Sequence, residues 1–161
     1  MFMRNTITKP AILAALFTAI AGITPSHAAE VITLTQTPCQ FVEPEGGDAG
    51  YSSSEKADCV AINDASGDER VAQSDVITLK PGDYVFRVTN QSVPYALGFW
   101  LREADYDWKN PVHKLTKISV SGGGLTTGTS KDYAVTLEPG EYLYSCPLNT
   151  TPDYKLVVTN G

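Results

Sequence analysis

The sequence predicts an all-β fold, an antiparallel sandwich or barrel. The first observation is a near-repeat, in which "VITLKPGDYVFRVTN" (76–90) is echoed by "AVTLEPGEYLYSC" (134–146). The second is a set of short runs that are rich in β-branched and aromatic residues and separated by turn-formers. These runs are 31–35, 97–101, 115–120 and 154–158. The third is that no stretch holds a long amphipathic helical pattern. Short, evenly spaced strands of this kind are typical of antiparallel sandwiches and barrels.

Each copy of the near-repeat reads as a strand, a Pro-Gly turn and a second strand. Proline presets φ at the second position of the turn, and Gly82 and Gly140 supply a positive φ at the third, as type II turns require. The flanking residues alternate between two families, which predicts strands with two distinct faces. One family is Ile77, Leu79, Val85, Val135, Leu137 and Leu143, and the other is Tyr84, Phe86, Tyr142 and Tyr144.

Residues 1–28 read as a secretory signal peptide. Two basic residues precede an apolar run at 11–23, and the small residues Ser26 and Ala28 follow it. That order is typical of a cleaved export signal, and the run is short for a membrane span. We expect residues 29–161 to form a single domain that is periplasmic or secreted.

The composition of the mature chain limits its partners. About 133 residues remain after cleavage, which is enough for one domain with a hydrophobic core. Every acidic residue lies in the mature part, so its net charge is 10 minus 18, or −8. Nucleic acid and anionic membrane surfaces repel such a chain. We therefore expect no nucleic-acid partner and no membrane insertion after cleavage.

Two of the three cysteines flank a polar, glycine- and serine-rich stretch. An oxidising compartment and a short loop favour a Cys39–Cys59 disulfide over two free thiols. The bridge closes an insertion or long connection at 39–70, in which one short helix is possible. Cys146 is then left unpaired.

Histidine is nearly absent from the mature chain. His113 is its only histidine, which limits Ser-His-Asp and Cys-His catalysis to a single candidate base. One histidine also excludes multi-histidine zinc sites. We interpret His113 as a solvent-exposed surface residue, and no positive signature indicates an enzyme.

Two motifs resemble the cupredoxin (blue copper protein) family. "PGEYLYSCP" (139–147), followed by a last strand "KLVVTNG" (155–161), is similar to the strand that carries the family's copper-ligating cysteine. "PGDYVFRVTNQSVPYALGF" (81–99) is similar to the strand and loop that deliver its first histidine. The resemblance implies a cupredoxin-like Greek-key β-sandwich, here with a disulfide-closed insertion.

The family's ligand set does not carry over. The resemblance places Tyr95 where the first histidine stands, and Cys146 alone matches a ligand position. Leu148 or Asn149 lies near the place of the second histidine, and Thr151 or Pro152 near that of the methionine. A type 1 copper site needs two imidazoles and a thiolate, which one mature histidine cannot supply within a single chain. The resemblance also implies that Tyr95 lies close to Cys146.

Two interpretations of Cys146 remain at this point. It is either a buried, inert thiol or a thiolate that binds a soft ion such as Cu(I), helped by Tyr95, His113 or a second subunit. With the first, we expect a binding module without a cofactor that engages a protein partner in the cell envelope. The alternative is an atypical copper-binding or electron-transfer protein that uses Cys146 with His113 or an acidic residue, within one chain or across a dimer. The expected binding surface consists of Tyr95, Phe99, Trp100, Pro147, Leu148 and Asn149, with Pro152 beside them.

Overall fold

A computed structural model of the protein describes residues 28–160. The predicted signal peptide, apart from Ala28, lies outside the described residues. The nine strands are β1 (Glu30–Thr37), β2 (Gln40–Phe41), β3 (Ile77–Leu79), β4 (Gly82–Asn90), β5 (Leu97–Glu103), β6 (Ser119–Leu125), β7 (Ser130–Leu137), β8 (Gly140–Ser145) and β9 (Tyr154–Val158). The two helices in this part of the chain are α1 (Lys56–Gln73) and α2 (His113–Thr116).

The strands form two sheets that pack face to face as a β-sandwich. The first sheet has the order β2-β1-β4-β7 and the second the order β3-β9-β8-β5-β6. The all-β prediction is therefore confirmed. The sheets are mixed rather than purely antiparallel, because β1 pairs with β4 and β3 with β9 in parallel.

Aromatic side chains fill the space between the sheets. Phe86 of the first sheet stacks on Phe99 of the second, with ring centroids 5.7 Å apart. Tyr144 stacks on Tyr154 at 5.5 Å. The aromatic members of the alternating families face this core, whereas Val85 and its aliphatic counterparts, apart from Leu137, are partly exposed.

The two Pro-Gly segments are not type II turns, so that prediction is wrong. Gly140 has no positive φ, and the φ of Gly82 is 158°, close to the extended region. Both glycines are the first residues of strands, β8 and β4. In each copy of the near-repeat the two strands belong to different sheets. The chain therefore crosses between sheets at each Pro-Gly pair instead of reversing within one.

The insertion holds an 18-residue helix, α1, much longer than the sequence predicts. Only Cys59 and Gly67 are buried along it, so it lacks the apolar stripe that identifies most helices. Polar contacts fix it instead, since the Arg70 guanidinium lies 2.6 Å from the Glu45 carboxylate and donates to the Cys39 carbonyl at 3.0 Å. No helix in the described residues is long and apolar enough to cross a membrane.

The strand predicted at 115–120 begins later than expected. Helix α2 occupies its first residues, and Leu115 is 89% exposed. Its first turn follows Pro111, and the Asn110 side chain accepts the Val112 N–H at 2.9 Å. An Asn-Pro pair whose amide oxygen accepts the N–H two residues on forms a turn, which places a helical turn rather than a strand here.

Candidate functional site

Cys146 lies at one end of the sandwich, directly after β8, and is fully buried. Its Sγ accepts N–H groups from Gly98 at 3.4 Å and from Asn149 at 3.3 Å. Its own N–H donates to Thr151 Oγ1 at 2.9 Å, and the Thr151 N–H donates back to its carbonyl at 3.2 Å. The loop after β8 is therefore a closed turn with the sulfur on its inner side.

Burial raises the pKa of the Cys146 thiol above its ordinary value, because a thiolate is poorly solvated there. Hydrogen bonds from the Gly98, Asn149 and Leu148 N–H groups and the Gln36 side chain oppose this effect without reversing it. Near neutral pH the group is a protonated thiol. A protonated, buried cysteine is a weak nucleophile and a poor metal ligand.

Gln36 lies beside Cys146 at the end of β1 and is also fully buried. Its Nε2 donates to the Gly98 carbonyl at 2.9 Å. Its Oε1 has no hydrogen-bond partner among the described residues. The Gln36 side chain and the Cys146 sulfur therefore both hydrogen-bond to the backbone of Gly98, the first to its carbonyl and the second to its N–H.

Asn149 connects the Cys146 loop to the disulfide. Its Oδ1 accepts the Cys39 N–H at 2.9 Å, and its Nδ2 donates to the Thr37 carbonyl at 2.9 Å. Cys59 Sγ lies 3.5 Å from the same Oδ1. The side chain is therefore an internal brace, and Asn149 is fully buried.

The Cys39–Cys59 disulfide is present, which confirms the predicted pairing, and Cys146 is the free cysteine. Its Cα atoms are 4.8 Å apart, within the normal range for a disulfide. Cys39 itself has φ 67°, in the left-handed region. The bridge ties α1 to the strand end that Asn149 also holds, so the insertion covers this end of the sandwich.

Tyr95 faces the disulfide. Its hydroxyl lies 3.1 Å from Ser53 Oγ and 3.8 Å from Cys59 Sγ, and the Asn90 side chain donates to its carbonyl at 3.1 Å. Asn149 contacts both Cys59 and Cys146, so Tyr95 is connected to Cys146 only indirectly, through Cys59 and Asn149. The phenol fills space next to the bridge at this end of the molecule.

The side chains around Cys146 do not fit a type 1 copper centre. The groups that hydrogen-bond to the sulfur are the backbone N–H groups of Gly98 and Asn149, which cannot act as metal ligands, and no imidazole of the described residues lies beside them. His113 lies on α2, where its Nδ1 accepts the Asp107 N–H at 3.0 Å and its ring packs 6.4 Å from that of Tyr106. Within residues 28–160, no three His, Cys, Asp or Glu side chains are grouped closely enough to hold a metal ion.

Two of the residues expected on the binding surface are not on any surface. Phe99 is 1% exposed because it packs in the aromatic core, and Asn149 is held inside by its hydrogen bonds. Both assignments to the surface are therefore wrong. Tyr95 and Trp100 are half-buried, and Pro147 and Leu148 are exposed.

Four of the expected residues, the buried Phe99 among them, line a groove on the outer side of the second sheet. The other three are Trp100, Pro147 and Leu148, and Ser121 and glycines of β5 and β6 complete the lining. Its volume is about 290 Å³. The indole N–H of Trp100 donates to Ser119 Oγ at 3.0 Å, and the Arg102 guanidinium lies 4.0 Å from the indole. The wall of the groove is therefore fixed in place.

Comparison with known proteins agrees with the fold. Auracyanin B aligns over 86% of this chain and 95% of its own, at 15% identity and a TM-score of 0.50. A dithionite-reduced auracyanin from the photosynthetic bacterium Roseiflexus castenholzii covers 83% of this chain and 99% of its own, at 14% identity and a TM-score of 0.47. Auracyanins are cupredoxins, so the expected cupredoxin-like fold is confirmed. No protein-family model and no curated protein matches the chain.

Proposed function

We propose that this protein is an exported, cupredoxin-like binding module without a type 1 copper site, and that it engages a protein partner in the cell envelope. The observation that carries the proposal is that a closed end of the sandwich lies beside an open groove. We call the end of the sandwich around Cys146 the closed pole. At the closed pole, Cys146 is buried with Gln36 and Asn149, and its sulfur accepts the backbone N–H groups of Gly98 and Asn149. Next to it, Trp100 and Leu148 border a groove that is mainly apolar.

The closed pole favours binding over electron transfer. Cys146 is a protonated thiol, and the amide of Asn149 is committed to the Cys39 N–H and the Thr37 carbonyl. Opening this cluster to admit a ligand breaks buried hydrogen bonds, each worth about 1 kcal/mol. The disulfide and α1 oppose such opening.

The groove has the features of a docking site. Leu148 is 43% exposed, and the Trp100 ring is held by its contacts with Arg102 and Ser119. Fixed aromatic and aliphatic anchors contribute most of the binding energy at protein interfaces.

The proposal is tested by site-specific photo-crosslinking in cells. A benzophenone amino acid at Leu148 is expected to yield one discrete adduct with an envelope protein, whereas the same group at the exposed Val31 yields none. Mass spectrometry of the adduct identifies the partner. If neither position gives an adduct, or both give the same ones, the groove is not a docking site.

A further inference from the structure

The most exposed large apolar side chains lie in one short segment between β5 and β6. Trp108, Val112 and Leu115 are 60%, 58% and 89% exposed. We name residues 108–115 the crest. The other exposed large apolar residues in the described chain, at 36% to 47%, are Val31, Val60, Val76 and Leu148.

The crest stands on a fixed base. Lys117 Nζ lies 3.1 Å from the Glu103 carboxylate and 2.7 Å from that of Asp105, at the end of β5. His113 Nδ1 accepts the Asp107 N–H, which closes the loop across α2. The exposed apolar side chains are therefore presented in a fixed arrangement, which lowers the entropic cost of docking.

The crest also carries positive charge in an acidic chain. Residues 108–115 contain Lys109 and Lys114 and no Asp or Glu, and Asp107 directly precedes them. Lys109 and Lys114 are exposed and take part in none of the ion pairs of the described residues. The Lys109 ammonium lies 5.4 Å from the centre of the Trp108 ring. Free cations thus stand beside exposed apolar groups.

We propose that the crest is a peripheral docking element for a lipid bilayer with anionic headgroups. Trp108, Val112 and Leu115 enter the boundary between headgroups and acyl chains, and Lys109 and Lys114 meet lipid phosphates. Tryptophan and lysine are the residues typical of membrane interfaces. Charge complementarity and the projecting apolar side chains favour a lipid surface over a protein pocket. The inference does not depend on the proposed function.

The mature charge of −8 predicts that anionic membranes repel the chain as a whole. Salt ions screen the charges that lie far from the crest, so this repulsion acts only weakly there. At physiological ionic strength charges further away than about 8 Å are largely screened. The charges at the crest therefore decide its interaction. Of the nearest carboxylates, Asp105 is already paired with Lys117, and the exposed Asp107 offsets one of the two positive charges of Lys109 and Lys114. We expect weak, reversible binding rather than stable anchoring.

The test uses the chain without residues 1–28 and two kinds of vesicle, pure phosphatidylcholine and an equimolar mixture with phosphatidylglycerol. Cosedimentation is expected with the mixed vesicles and to be weaker with the neutral ones. In a Trp100→Phe background, the emission of Trp108 is expected to shift to the blue on vesicle addition. Leu115→Ser is expected to lower the partition coefficient at least about tenfold, because a buried leucine side chain is lost.

Matched controls separate the crest from general surface effects. Val31→Ser is expected to leave the partition unchanged. Lys109→Gln and Lys114→Gln are each expected to lower partition onto mixed vesicles about fivefold. The corresponding changes at the exposed Lys56 and Lys80 are expected to have little effect.

Three results would overturn the inference. The first is that the parent protein binds neither kind of vesicle. The second is that Val31→Ser weakens binding as much as Leu115→Ser does. In the third, Trp108 emission shifts with protein concentration in the absence of lipid and Leu115→Ser abolishes that shift, which identifies the crest as a contact between copies of the chain.

Discussion

The Cys39 N–H donates to Asn149 Oδ1 over 2.9 Å, between residues 110 positions apart in the sequence. This bond joins the disulfide to the loop that carries the free cysteine. Because the other end of the Asn149 amide donates to Thr37, the residue fixes both the strand end and the loop.

Asn149→Ala is expected to destabilise the protein by about 2 to 4 kcal/mol, because it leaves the buried Cys39 N–H and Thr37 carbonyl without partners. Urea unfolding with the disulfide intact measures the change. Asn160→Ala, at an exposed position after β9, is the matched control and is expected to change little. Equal stability of the two variants would contradict the bracing role.

Tyr144 and Tyr154 stack on each other, yet their hydroxyl groups differ. That of Tyr144 is buried with no partner among the described residues, and that of Tyr154 donates to the Glu45 carboxylate. Tyr144→Phe is therefore expected to be neutral or to stabilise by about 1 kcal/mol, and Tyr154→Phe to destabilise by about 1 to 2 kcal/mol. Thermal unfolding of the parent and the two variants measures both changes in stability. The opposite order would mean that the hydroxyl assignments are wrong.

Gly98 of β5 leaves no room for a Cβ beside β6. A Cβ there would lie 2.7 Å from the Gly122 carbonyl oxygen, whereas one at Gly123 would lie 3.8 Å from its nearest neighbour, the Leu97 oxygen. Gly98→Ala is expected to destabilise by about 1 to 3 kcal/mol, since the backbone must shift, and Gly123→Ala by much less. Chemical denaturation compares them. Similar values for both would show that the strands separate without cost.

Cys146 is expected to react slowly with a thiol reagent in the folded protein and rapidly after unfolding, because burial keeps it protonated. Mass spectrometry of labelled peptides measures the rate, and the same peptides report the Cys39–Cys59 bridge. Rapid labelling of Cys146 in the native state would indicate an accessible thiolate.

The raised pKa of Cys146 also has a consequence for stability. A group whose pKa is higher in the folded state stabilises fully below its unfolded value, here 9.0. That contribution is lost as the pH rises through the raised value. The loss of stability above pH 9.0 is expected to be smaller in Cys146→Ala than in the parent.

The local patterns of the sequence predict most strands, since alternation and turn residues act over a few positions. The Cys39–Cys59 disulfide was also predictable, from the oxidising compartment that the predicted signal peptide implies and from the short loop between the two cysteines. The type II turns predicted at the two Pro-Gly pairs are absent. A strand, a Pro-Gly pair and a second strand give the same sequence pattern whether the two strands pair with each other or lie in different sheets. The length of helix α1 was not predictable, because its contacts are polar and long-range, as with Arg70 and Glu45.

The candidate site was harder to predict than the fold. Gln36, Gly98 and Asn149 meet around Cys146 only through the topology, and no spacing in the sequence signals it. The one available signal was negative, namely the lack of two histidines. The lack of two histidines indicates that the family's copper ligands are missing. It does not reveal that backbone N–H groups hydrogen-bond to the Cys146 sulfur.

The absorption spectrum after addition of Cu(II) to the reduced-thiol, disulfide-intact protein tests the central claim most directly. A cysteine bound to copper gives an intense visible charge-transfer band. We expect no such band and no stoichiometric copper after desalting, because Cys146 is buried, protonated and surrounded by N–H donors. An intense visible band with one copper per chain, both lost in Cys146→Ser, would contradict the account.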